Sequence, residues 1–108
     1  MTGYRLSRSA ELDLELIFLE GLDRFGSAQA ERYKSELKSS LDRLSRFPGM
    51  AHLRMDVSPP VRIQPFRAHV IVFDVGDEGI TVVRIRHGRE DWMSDPVGIE
   101  NTQAGDEQ

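Results

Sequence analysis

The chain has 108 residues and a formal net charge of −4, and 39% of its residues are hydrophobic and 30% charged. This length suits one compact domain, and the composition is that of a folded globular protein rather than a disordered or strongly basic nucleic-acid-binding one. The chain has no apolar run of the ~18–20 residues that cross a membrane, no signal-peptide-like N-terminus and no cysteine, so we expect a cytoplasmic protein without metal or cofactor.

The first half of the chain predicts a short strand followed by two helices. Tyr4–Leu6 alternates as a strand does, and Ser7 stands where the N-cap of a helix over residues 8–24 would lie. Gly26 is expected to end that helix, and Ser27 to cap a second one over residues 28–47, which stops at Pro48-Gly49. The second helix carries one apolar stripe at steps of three and four residues: Ala30, Tyr33, Leu37, Leu41 and Leu44.

The second half predicts three strands. After a loop over residues 50–60, a strand is expected at residues 61–64, and Pro65 marks it as an edge or a bulge. Residues 69–75 and 80–91 are two β-branched runs joined by a Gly-flanked turn, which predicts a hairpin. The run at 69–75 is almost continuously apolar, so we expect it at the centre of the sheet.

These elements predict an α+β fold of order β-α-α-β-β-β. Two antiparallel helices would form a hairpin on one face of a small, mainly antiparallel sheet. A single domain would span residues 1–95, and the polar residues 96–108 are expected to form a disordered tail.

The first helix carries a second apolar stripe. Leu12, Leu16 and Leu19 fall on roughly the opposite side from its main apolar face. Either the helix pair lies deep enough to bury both stripes, or the second stripe receives an amphipathic segment of a partner.

Cations are concentrated near the last strand. Alternation places Arg84 and Arg86 on one face with Val82, and Arg62 and Arg67 could join them. Two interpretations remain open: the arginines form the solvated side of an edge strand, or they bind an anionic ligand or a partner.

Two residues near the same end have structural and functional interpretations. His87 is the natural candidate for a general base, but the sequence shows no acid–base partner for it. The alternative interpretation is that His87 has a structural role. Trp92 is expected to fold over the sheet edge, or else to anchor an interface.

The residues resemble the ParE branch of the RelE/ParE toxin superfamily of bacterial toxin–antitoxin modules over residues 4–92. The first half contributes Tyr4–Ser7 with Ala10, Asp13, Leu14 and Ile17, then Phe25, Gly26, Gln29, Ala30 and Tyr33, then Leu41, Leu44, Pro48 and Gly49. The second half contributes Val61 and Arg62, then His69–Phe73, then Val83–Ile85, His87–Arg89 and Asp91.

The resemblance implies the same fold and two protein partners. A ParD-like antitoxin would neutralise the toxin, with Leu12, Leu16 and Leu19 as candidate contacts, and DNA gyrase would be the target, inhibited by direct binding. No direct nucleic-acid binding is expected of the toxin alone. The candidate target-binding residues are Arg62, Arg67, Arg84, Arg86, Arg89 and Trp92.

Two alternatives remain within the resemblance. RelE-like relatives cleave mRNA on the ribosome, and such a nuclease would use His87 as base with Arg84, Arg86 and Arg62 as cations. The chain departs from that pattern because its lysines lie on the second helix and Tyr4 and Tyr33 are expected far from the last strand. The other alternative is an inactive toxin that only binds its antitoxin.

Overall fold

The computed structural model describes residues 3–97, which form two helices and one five-stranded sheet. The helices are α1 (Arg8–Phe25) and α2 (Ser27–Arg46), and a single 3₁₀ turn (Pro48–Met50) follows them. The strands are β1 (Tyr4–Leu6), β2 (Leu53–Arg54), β3 (Val61–Phe66), β4 (His69–Gly76) and β5 (Gly79–His87). The predicted α+β architecture is confirmed, with β2 as an additional strand inside the predicted loop over residues 50–60.

The helix ends follow from their capping groups. The Ser7 hydroxyl accepts a hydrogen bond from the Ala10 amide (2.9 Å), as expected of an N-cap, and donates one to the Val83 carbonyl (2.7 Å), which fixes α1 to β5. Ser27, predicted as the second cap, is instead the first residue of α2, and Gly26 with a φ of 91° takes the capping position. The sharp change of direction between the helices therefore depends on glycine.

The sheet has the order β1-β5-β4-β3-β2, so β4 is central as predicted. β1 pairs parallel with β5, and every other pair is antiparallel. β3 continues through Pro65, beyond its predicted end at Gln64. This is possible because β2 pairs with Val61 and Arg62 alone, so Pro65 lies on an open edge where its missing N–H costs no ladder hydrogen bond.

A β-bulge in β5 changes which residues share a face. Phe73 pairs with Val82, but Val72 pairs with Arg84, so Val83 is an extra residue in β5. The prediction that Val82 shares a face with Arg84 and Arg86 was wrong for this reason. Val82 faces the helices, and the two arginines lie on the other face.

Each face of the sheet covers its own hydrophobic core. The larger core joins Leu14, Leu37 and Leu41 of the helices to Phe73 and Val82 of the sheet. The smaller core, on the other face, is closed by Val57, Trp92 and Val97. No helix among residues 3–97 is long and apolar enough to cross a membrane.

The packed domain extends beyond its predicted end at residue 95. Pro96 is fully buried, and Val97 packs against the smaller core, so these two residues do not belong to a disordered tail. The remaining part of the predicted tail, residues 98–108, lies outside the described residues.

Candidate functional site

The second leucine stripe of α1 lies at the surface. Leu12, Leu16 and Leu19 are 55%, 63% and 49% exposed, whereas Ala10 and Leu14 on the same helix are buried in the larger core. Among residues 3–97, the helix pair therefore does not bury both stripes. Since full burial of a leucine contributes roughly 1.5–3 kcal/mol and each of these three forgoes about half of it, this stripe is the best-defined apolar contact surface on α1.

Arg84 is held inside the domain by Asp13. Its guanidinium makes two parallel hydrogen bonds to the Asp13 carboxylate, at 2.7 and 2.9 Å, and only 7% of the residue is exposed. One Asp13 oxygen also accepts the Ile85 amide at 2.9 Å. Because β1 ends at Leu6, Asp13 reaches the edge of β5 that no strand covers. The structure thus assigns Arg84 a contact with α1 rather than a place on the surface.

Arg86 and Arg62 are committed to the backbone of neighbouring loops. Arg86 donates to the carbonyls of Asp95 (2.6 Å) and Pro96 (3.2 Å) and pairs with the Glu90 carboxylate at 2.8 Å. Arg62 donates to the Ala51 carbonyl at 2.6 Å. The Arg86 contacts hold the segment that places Val97 on the smaller core, whereas the Arg62 contact holds the segment of Ala51, which belongs to the larger core.

The three other candidate target contacts are more accessible. Arg89 is exposed, and Arg67, at a φ of 53°, pairs with Glu36 at 2.6 Å while its guanidinium carbon lies 5.9 Å from the centre of the Tyr33 ring. Trp92 packs on the smaller core as expected and is half-buried, with Arg54 5.9 Å from its ring. Arg67, Arg89 and Trp92 therefore remain the candidates that a partner can touch.

A cleft of about 340 Å³ opens between the helices and the β3–β4 turn, and it contains two histidines. The rings of His69 and His87 meet edge to face with centroids 5.1 Å apart, and the Tyr33 hydroxyl lies 2.8 Å from His69 Nδ1. His87 Nδ1 accepts the Arg89 amide at 3.0 Å, so in the neutral ring the proton is on Nε2.

Burial perturbs two of these groups. Burial is the largest cause that lowers the pKa of His69, and the proximity of His87 is the second, because both disfavour the charged imidazolium. Burial raises the pKa of Tyr33 because it disfavours the phenolate. Both groups are therefore neutral at pH 7 and act in the cleft as hydrogen-bonding groups rather than as charges.

The comparisons with known proteins decide the family. The family model described as the ParE toxin of type II toxin–antitoxin systems, parDE, matches residues 4–92. The chain belongs to this ParE toxin family. The matched range contains every candidate site residue named above, and it ends at Trp92.

Individual ParE relatives agree with this assignment. The chain is 36% identical over 89 residues to Toxin ParE1 of Mycobacterium tuberculosis strain H37Rv, which covers 82% of this chain and 91% of the relative. It is 31% identical over 87 residues to Toxin ParE1 of Caulobacter vibrioides, and the match covers 81% of this chain and 90% of that relative. A solved chain from the chromosomal ParDE system of P. aeruginosa has the same fold, with a TM-score of 0.70 at 20% identity over 81% of this chain and 96% of that one.

The histidine cleft of this ParE-family chain was not predicted from the sequence. Tyr33 was expected far from the last strand, which was wrong, because its hydroxyl contacts His69 and His69 pairs with His87 of β5. Tyr4 is also beside that strand, since it pairs with Ile80. A regular hairpin counted outward from the turn would place Arg86 opposite His69, and the bulge at Val83 brings His87 there instead. Counting residues outward from the hairpin turn was the signal available in the sequence, and the partner that it gives for His69 is one residue away from the observed one.

Proposed function

We propose that the chain is a bacterial, cytoplasmic toxin that inhibits DNA gyrase by direct binding and is kept silent by a ParD-like antitoxin. The toxin acts as a protein-binding inhibitor, not as an enzyme. The observation that carries the antitoxin part is the exposed stripe formed by Leu12, Leu16 and Leu19 on α1. The family assignment supports the gyrase part, together with the accessible side chains near the end of β5.

The leucine stripe suits an amphipathic helical segment of the antitoxin. Its members are spaced by four and three residues, so they line one side of α1 over two turns. A helix with apolar residues at the matching spacing would cover all three leucines in a helix-in-groove contact. The larger core already holds the opposite side of α1, so the stripe is presented on a fixed support.

The antitoxin contact is tested by substituting one leucine of the stripe. Leu19→Ser is expected to weaken antitoxin binding at least tenfold, since an apolar side chain covered by a partner typically contributes about 1–2 kcal/mol or more. Leu53→Ser is the matched control, because Leu53 is 47% exposed against 49% for Leu19 but lies on β2 at the far edge of the sheet. Equal binding by the two variants would refute the assignment of the stripe.

The gyrase contact is proposed to involve Arg67, Arg89 and Trp92. These side chains are accessible at the β3–β4 turn and after β5, and arginine and tryptophan are enriched among energetically dominant interface residues. Arg86 would contribute indirectly, because it braces the segment after β5 through Glu90 and the Asp95 carbonyl, whereas Arg62 and Arg84 contact Ala51 and Asp13 instead.

Freed toxin is expected to inhibit gyrase-catalysed supercoiling. About tenfold more of the Arg89→Ala variant than of wild type should be required for the same inhibition, because the substitution removes one charge-assisted contact. Arg32→Ala on the exposed side of α2 should behave as wild type. Undisturbed supercoiling at saturating wild-type toxin would refute the gyrase proposal.

Ribosome-dependent mRNA cleavage is the second candidate, and the clustering of His87 with His69 and Tyr33 favours it. Two observations oppose the predicted nuclease set. Arg84 and Arg86 lie on the other face of the sheet, and His87 Nε2 carries the proton in the neutral ring, so it cannot accept one from a 2′-hydroxyl. Cleavage of ribosome-loaded mRNA by wild type and not by His87→Ala would favour the nuclease, whereas intact mRNA would exclude it.

A further inference from the structure

The histidine cleft has an apolar side formed by both helices. Leu14, Ile17, Phe18 and Phe25 of α1 and Ala30 of α2 line it. A volume of about 340 Å³ lies within the ~300–1,000 Å³ range of small-molecule sites. This side of the cleft fits an aromatic ring or a branched aliphatic group.

The other side of the cleft is polar and cationic. Lys34, Arg67, His69 and His87 line it, together with Glu20 and Arg24, whose charges pair with each other at 3.9 Å. Arg67 is balanced by Glu36, but the Lys34 ammonium lies 4.4 Å from the centre of the Phe18 ring, and no carboxylate among residues 3–97 forms an ion pair with it. The uncompensated charge next to the apolar side is therefore positive.

His87 adds a hydrogen-bond donor to the cleft. His87 carries its neutral-form proton on Nε2, because Nδ1 accepts the Arg89 amide. His69 Nδ1 is engaged with the Tyr33 hydroxyl, which leaves Nε2 as its second ring nitrogen in the cleft. An imidazole N–H donor beside an ammonium suits an anionic oxygen acceptor.

We propose that this cleft binds a small amphipathic carboxylic acid. Its aromatic or branched aliphatic group packs on Ile17, Phe18 and Phe25, and its carboxylate pairs with Lys34 and accepts a hydrogen bond from His87. This site is distinct from the leucine stripe, because Leu12, Leu16 and Leu19 do not line the cleft. The ligand would thus reach the toxin without displacing a segment docked on the stripe.

The experiment titrates the full chain with 3-phenylpropionate and follows the imidazole C–H signals of His69 and His87 by NMR. His52 lies outside the cleft and serves as an internal reference. We expect saturable shifts at His69 and His87 and none at His52. The neutral analogue 3-phenylpropionamide and acetate should each bind at least about tenfold more weakly, because one lacks the charge and the other the apolar group.

Two pairs of variants locate the site. Lys34→Gln should weaken binding at least about tenfold, whereas Lys38→Gln, one turn further along α2 and outside the cleft, should change it less than twofold. Phe25→Ser should weaken binding, and Phe47→Ser should not, although both phenylalanines are 60% exposed. A circular-dichroism melt of each variant checks that its fold is retained.

Three results would overturn the proposal. The first is equal binding of the acid and the amide, which would leave no role for the cation. The second is an equal response of the Lys34 and Lys38 variants. The third is loss of 3-phenylpropionate binding when stoichiometric ParD-like antitoxin is bound, which would assign the cleft to an antitoxin side chain. Antitoxin binding and gyrase inhibition are measured in separate assays. A failure to bind 3-phenylpropionate therefore refutes the ligand proposal without affecting the proposed function.

Discussion

The ion pair between Asp13 and Arg84 offers the sharpest test of how α1 is held on the sheet. The side chains of Arg84 and Asp13 are only 9% and 12% exposed, and the carboxylate accepts three hydrogen bonds, two from the guanidinium and one from the Ile85 amide. Replacing Asp13 with alanine leaves a guanidinium and an amide buried without this acceptor. Breaking a buried pair in this way costs about 3–5 kcal/mol, a large share of the ~5–15 kcal/mol that stabilises a typical domain.

The assay is urea unfolding of the full chain, followed by circular dichroism and fitted with a common slope. Asp13→Ala should lower the free energy of unfolding by about 3 kcal/mol or more, which corresponds to a fall in melting temperature of at least ~12 °C for a domain of this size. Asp23→Ala, in the same helix but exposed, should stay within about 0.5 kcal/mol of wild type.

A double substitution separates the buried charge from the lost contacts. Asp13→Leu with Arg84→Met removes both charges, and we expect it to recover about 2 kcal/mol relative to the single Asp13 variant. Recovery should be incomplete, because the Ile85 amide still lacks its acceptor, at a cost of about 1–3 kcal/mol. A loss below about 1 kcal/mol for Asp13→Ala, or costs that simply add in the double variant, would refute the reasoning.

Two further predictions concern the hairpin. Gly79→Ala should destabilise the domain by about 2 kcal/mol or more, because the φ of Gly79 is 138° and a Cβ would lie 2.3 Å from the Gly3 carbonyl oxygen. Gly76→Ala is the control: its Cβ would lie 3.7 Å from the nearest atom, so it should cost clearly less in the same unfolding assay. The lowered pKa of His69 means that the folded state binds its proton less readily than the unfolded chain, so stability is fully present above about pH 6.5 and falls as the pH drops below that value. His69→Phe should flatten the fall in a series of melts between pH 7.5 and 5, and an unchanged slope would show that His69 does not cause it.

The local patterns of the chain were sufficient for the helices, the hairpin and the presence of a second leucine stripe on α1, whereas the exposure of that stripe was decided by the packing. Ser7 caps α1, the three-and-four spacing of α2 buries Leu37, Leu41 and Leu44, and the apolar run of β4 lies at the centre of the sheet. Each of these follows from interactions within a few residues or from a periodicity that the sequence carries openly. The family resemblance rested on the same segments, and the family model matches the same range, residues 4–92.

Which arginines reach the surface depended on one extra residue in a strand. Alternation by itself cannot reveal that Val83 is bulged, because the bulge is stabilised by distant partners: the Ser7 hydroxyl at the Val83 carbonyl and the Asp13 carboxylate at the Ile85 amide. The bulge turns Arg84 toward Asp13 and brings His87 opposite His69, which creates both the internal ion pair and the histidine cleft.

The sequence by itself thus determined the order of the helices and of the four longer strands and the amphipathic faces of the helices, because those arise from local propensity and periodic burial. The tertiary structure alone decided the pairing register of β5, and with it which polar side chains are buried, paired or available to a partner. The physical reason is that register is chosen by the sum of long-range contacts, and a slip of one residue moves every side chain beyond it to the opposite face of the sheet.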